Sequence, residues 1–200
     1  MKVRILFLIC FLSITCLLNA ADKPVIQIHT DNSSLIFRVA DNGRLYQSYL
    51  GKKLNHEADI SHLPQGTEAY ITHGMEDYFE PAIHILHNDG NPSLLLKYVS
   101  HETKAVSQGV NETIITLGDD KYPVTVKLHY VTYPAEDIIK TYTEISHKEK
   151  KPVVLHQYAS SMLHLNRAKY YLTEFSGDWA HEANISDQPL EFGKKVLDTK

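Results

Sequence analysis

The sequence predicts an all-β fold, an antiparallel β-sandwich. Three observations carry that expectation. Apolar and β-branched stretches of strand length recur along residues 24–177. Clusters of Gly, Asn, Asp and Pro punctuate them at short intervals, and no segment sustains the 3.6-residue period of an amphipathic helix.

Each element follows from its residues. Pro24–Thr30 and Ser34–Ala40 read as the first two strands, through Val-Ile-Gln-Ile-His and Leu-Ile-Phe-Arg-Val. Asp41-Asn42-Gly43 then predicts a hairpin turn into a Tyr- and Leu-rich strand, Arg44–Leu50, because both Asn and Gly tolerate positive φ. Residues 52–80 are polar and turn-rich without a period. A connection this long inside a compact domain is more often functional than idle. Strands resume at Ala82–Leu86, and Asn88–Pro92 turns into Ser93–His101. Glu112–Leu117, Val124–Tyr133 and Asp137–His147 follow, then Val153–Leu165 and finally Tyr170–Phe175, closing at Gly177. Phe192–Lys200 reads as entry into a further strand with no stop signal, so the sandwich is expected to be incomplete at its C-terminus.

The N-terminus predicts export. Lys2 and Arg4 precede an apolar run, Ile5–Leu18, and Ala20-Ala21 supplies small residues for cleavage. The run is shorter than the roughly 20 residues that span a bilayer, which favours a cleaved signal peptide over residues 1–20 against an uncleaved anchor. Cys10 and Cys16 lack the small preceding residues of a lipid-anchored leader. The mature domain, residues 21–200, then has no cysteine and enters a periplasmic or extracellular compartment without disulfides. Setting aside Lys2 and Arg4 leaves eighteen basic residues against twenty-four acidic ones, a net charge of −6. That balance argues against nucleic acid and against an anionic membrane as partners.

No chemical motif stands out. Twelve histidines invite a metal, but His84 and His87, three apart in a strand, point to opposite faces. His156 and His164 share a face yet lie roughly 26 Å apart along an extended strand. No metal and no cofactor is expected, since a site needs three or four convergent ligands. Asp119-Asp120 sits where a turn demands Asp. Glu76-Asp77 lies in the long loop, and Asp178 and Glu182 flank Trp179, the single tryptophan. Trp179 has two readings, core packing or stacking on a sugar ring.

Three blocks, in order, resemble a known family. They are Asp41–Lys52; Gly74-Met75-Glu76-Asp77-Tyr78-Phe79-Glu80-Pro81-Ala82; and Tyr133–Ser161 continuing to Gly177-Asp178-Trp179-Ala180-His181-Glu182. Together they resemble the N-terminal β-sandwich (supersandwich) domain of the family 36 glycoside hydrolases, the retaining α-galactosidases. Tyr78 stands where the family pattern has Phe, and Phe79 where it has Arg. The resemblance implies that both catalytic aspartates lie on a (β/α)8 barrel following the sandwich. Such a barrel takes about 250 residues, so this chain is expected to carry no catalytic residue. It implies a galactosyl oligosaccharide and the barrel as partners and a homo-oligomeric enzyme; the family's loop aspartate maps onto no particular residue of 52–80, and Asp77 and Trp179 are the candidates in this chain for lying near sugar. The competing readings are a stand-alone carbohydrate-binding sandwich and a purely structural module.

Overall fold

The computed structural model describes residues 23–75, 80–165, 169–191 and 193–198. The leader assigned to residues 1–20 and the site residue Asp77 lie outside them. The rest is built almost entirely of antiparallel strands. The first sheet, in the order β1 (Val25–His29), β2 (Ser33–Val39), β3 (Leu45–Lys52) and β4 (Thr67–Glu68), grows from the N-terminal hairpins. The second, β6 (Leu96–Ser107), β7 (Val110–Asp119), β8 (Val124–Tyr133) and β9 (Ile138–His147), is a meander of long strands. Two further pairs complete the described fold: β5 (Ile83–Leu86) with β10 (Val154–Tyr158), and β11 (Tyr171–Asp178) with β12 (His181–Pro189).

Alternation decides which face is buried. In β7 Ile115 and Leu117, and in β8 Val124, Val126, Leu128 and Tyr130, point every second residue into one core. Ile26, Ile28, Leu35, Phe37 and Leu45 of the first sheet meet them there, and the Phe37 and Tyr130 rings lie 5.1 Å apart. This is the predicted sandwich. With no cysteine after Cys16, apolar burial supplies the stability, roughly 1.5–3 kcal/mol for each large side chain fully removed from water.

Several elements differ from the sequence expectation, each for a physical reason. The Asn42-Gly43 turn closes as the three-residue loop Asp41–Gly43 between paired Ala40 and Arg44, and only Gly43 takes a positive φ, +78°. Residues 52–80 contain α1 (Glu57–Ser61), with acids Glu57 and Asp59 in its first turn and Ile60 buried. The Arg38 guanidinium donates to the Ile60 carbonyl and ties α1 to β2. Glu68–Thr72 is buried as well, so this connection is half structural.

The predicted strand Val153–Leu165 ends at Tyr158. Beyond it, after one further backbone bond from Ala159 N–H to Ala82 O (2.7 Å), side chains supply the contacts. Tyr70 donates to Ala159 O (2.8 Å), Thr143 to Ser160 O (3.0 Å), and Gln47 both donates to His164 O (2.7 Å) and accepts from His164 N (3.1 Å). His164 is therefore not on a strand with His156. The β12 strand escapes the sequence reading because His181–Pro189 holds one large apolar residue, Ile185. Pairing with β11, register Phe175↔Ile185, makes it a strand.

Candidate functional site

The Gly74–Ala82 block and the β11–β12 hairpin carry the two predicted site residues. Gly74 turns at φ +85° against Ser93. Where the chain is next described, the Glu80 carboxylate accepts from Gln157 Nε2 (3.2 Å) and Lys194 Nζ (2.9 Å). Lys194 comes first among the causes holding the Glu80 carboxyl below its usual range. Gln157 also donates to Pro81 O at 2.8 Å. The segment after β12 thus returns to the start of β5, and Lys195 pairs with Glu174 of β11 at 3.3 Å.

Trp179 stands at the tip of this hairpin, between the paired residues Asp178 and His181, and is 92 % exposed. Ala180 beside it takes φ +63°. The Trp179 ring therefore does not pack in the core of the described residues. Tyr171, Phe175 and Ile185 line one face of the same ribbon, 66–71 % exposed.

Several acids elsewhere are committed to partners. Asp119 accepts from the backbone N–H of Leu95, Lys121 and Tyr122, the turn role its sequence position predicted, and Asp120 pairs with Lys97. Glu112 accepts from Tyr142 (2.7 Å), His129 (2.9 Å) and Lys104 (3.0 Å), which together pull its pKa down to about 2. Burial pushes Glu149 upward, but hydrogen bonds from His87 Nδ1 (2.6 Å) and Asn88 outweigh it and leave the carboxyl below its usual range. Asp41, Asp89 and Asp137 are lowered too, by a Lys23 hydrogen bond, by Asn91 and Tyr122, and by Thr30. Each of these displaced carboxyls, Glu80, Glu112, Glu149, Asp41, Asp89 and Asp137, therefore moves down. A glycosidic general acid needs the opposite, a carboxyl raised enough to stay protonated near neutrality.

Sequence reasoning missed the histidine pairings. His84 stacks between His73 (3.7 Å) and His156 (4.8 Å), whereas His87 is buried against Tyr122 at 3.5 Å. The sequence separated His84 from His87 by face but gave no signal for either partner set, since those come from distant strands. Among the described residues no group of three or more His, Cys, Asp or Glu is placed to hold a metal ion.

Comparison with known proteins gives this geometry a context. The family model described as "Glycosyl hydrolase family 36 N-terminal domain" matches residues 42–200. Among curated proteins, "Probable alpha-galactosidase G" of Aspergillus terreus and "Alpha-galactosidase C" of Emericella nidulans are each 25% identical over 133 residues, 60% of this chain. The chain spans 18% of the length of both. Among solved structures, the family 36 α-galactosidase AgaA of Geobacillus stearothermophilus superposes with a TM-score of 0.76 at 19% identity, over 85% of this chain and 28% of that one. The α-galactosidase of Lactobacillus brevis gives 0.73 at 21% identity, over 84% and 28%. At those identities the structures speak for a shared sandwich. The match over residues 42–200 speaks for ancestry, and this chain belongs to glycosyl hydrolase family 36, as its N-terminal domain.

Proposed function

We propose that this chain is the non-catalytic N-terminal part of an exported α-galactosidase, one that acts with a (β/α)8 barrel on terminal α-galactosyl residues of oligosaccharides. The family match over residues 42–200 carries the reading. Both curated relatives named above are α-galactosidases, and two variants of the Geobacillus enzyme were solved with raffinose and with stachyose. The non-catalytic role is supported by Glu80, Glu112 and Glu149, each of which is held by hydrogen-bond donors that keep its carboxyl below the usual range. In this reading the exposed Tyr171–Phe175–Ile185 face and the Trp179 tip meet the barrel or its substrate. The test is turnover of a chromogenic α-galactoside by this chain alone. No release above the buffer blank is expected; turnover abolished by a single carboxyl substitution in this chain would overturn the assignment.

A second reading, a sugar-binding module, is favoured by one observation, the 92 % exposure of Trp179 at a hairpin tip. Calorimetric titration with raffinose checks it. Stacking predicts millimolar binding that Trp179→Ala removes, because one aromatic face contributes only a few kcal/mol or less. Heat identical to dilution in the parent chain would dismiss it.

A further inference from the structure

Three histidines, one from the turn after Thr72 and two from β5 and β10, form a column on one face of the small sheet. The chain reaches His73 just after Thr72, which bridges Ile83 in parallel, and the His73 N–H donates to Ile83 O at 2.9 Å. His84 lies in β5. His156 occupies the bulge of β10 between Leu155 and Gln157. The His73 and His84 rings stack at 3.7 Å and 20°, and the His84 and His156 rings meet at 4.8 Å and 38°. On the other face of β5, Ile83 and Ile85 are buried in the core. The column therefore reports on the pairing that holds β10 to the sandwich.

Stacked imidazoles are stable together while neutral. A proton on one ring disfavours a proton on the next, as like charges this close always do. His84 is in the middle; burial first, then His73 and His156, hold its pKa below the ordinary imidazole value. Among the described residues of these strands and their flanks (69–75, 80–87 and 153–159), the one acid is Glu80, and Lys194 and Gln157 hold its carboxylate. The remaining titratable side chains there are committed elsewhere or point away. Tyr70 donates to Ala159 O, His87 faces Glu149 and Tyr122, and Tyr158 is 63 % exposed.

We propose that the His73–His84–His156 column is an acid-release seam: with the middle ring, His84, neutral, the stack holds β10 against β5, and proton uptake by His84 on acidification drives these strands apart and frees the Val154–Tyr158 edge. The sign follows from the middle ring. A histidine whose folded-state pKa is lowered contributes stability above its unfolded value, and that stability is lost as pH falls through about 6.5 toward the lowered value. Histidine is the side chain whose unperturbed titration falls in this range, so the device answers to mild acidity. The seam is independent of whether the domain serves a galactosidase.

Amide hydrogen exchange on the whole chain, read residue by residue by NMR and corrected for intrinsic rates, tests it. Between about pH 7.5 and about pH 5, protection at Ile85 and Leu155 is expected to fall about tenfold or more, while Ile115 and Leu128 in the main sandwich change by less than about twofold. His84→Phe keeps the ring and removes the titration, so the fall should vanish. Should that variant fail to fold, His84→Gln, which also removes the titrating ring from the middle of the column, makes the same test. Unchanged protection at Ile85 and Leu155 in the parent chain, or an equal fall in the folded variant, would overturn the proposal.

Discussion

At the residue scale, the polar groups removed from water set the chain's response to acid. Glu112 lies on β7 with Lys104, His129 and Tyr142 arriving from β6, β8 and β9, so one carboxylate gathers donors from every strand of the second sheet. Its pKa of about 2 gives the sign of the linkage. A depressed carboxyl contributes stability above its unfolded value near 4.5, and that stability is lost as pH falls from there toward about 2. Glu112→Gln should lower stability at neutral pH by about 1.5–3 kcal/mol, the scale of hydrogen bonds to a charged group. It should also flatten the loss between those two pH values, as urea unfolding at stepped pH would record; an unchanged slope would contradict the assignment. None of this network is visible in sequence. Its members sit at positions 104, 112, 129 and 142, and only the register Lys104↔Glu112, Glu112↔Val131 and His129↔Tyr142 brings them together.

Elements show where sequence suffices and where tertiary contact takes over. Val124–Tyr133 matches its expected bounds because its apolar residues alternate and turn residues bracket it. The strands β2, β3 and β9 fall within two residues of expectation for the same reason. By contrast β12 and the end of β10 depend on what lies opposite them, β11 in one case and the Gln47 side chain in the other. The 52–80 connection follows the second pattern. Gly66, at φ +84°, passes so close to β3 that an added Cβ would fall 1.9 Å from the Gln47 carbonyl oxygen. Neither the φ nor the contact suits another residue. Gly66→Ala should therefore destabilise the chain by about 1–3 kcal/mol or more, as strain plus overpacking, and it should loosen the docking of residues 159–165 that Gln47 anchors. A thermal midpoint equal to the parent's would refute this.

For the whole molecule, the buried core and the most exposed aromatic side chains, Trp179 and Phe175, lie in different parts. The buried cluster draws on residues from Ile26 to Tyr130, with Met162 the last residue packed against it. The β11–β12 ribbon packs mainly on itself and is joined back through Lys194 and Glu80. Deleting residues 166–200 should leave the sandwich folded, with a Tm within about 4 °C of the parent's, the shift that roughly 1 kcal/mol produces in a domain of this size. Loss of the cooperative transition would mean the ribbon is part of the core. The fold class was legible in strand spacing, and the family in three ordered blocks. The candidate site residues were legible only in part. Trp179 announced itself as a lone tryptophan beside a glycine, but its exposure comes from β12, a strand whose composition does not suggest one.

That exposure also governs how the chain will look in a fluorimeter. Its sole indole is already immersed in solvent in the native state, so its emission should barely move when the sandwich melts. Unfolding must be followed through buried tyrosines such as Tyr70 and Tyr130, or by far-ultraviolet dichroism. The tryptophan signal is left as a nearly background-free reporter of whatever settles on the ribbon's tip.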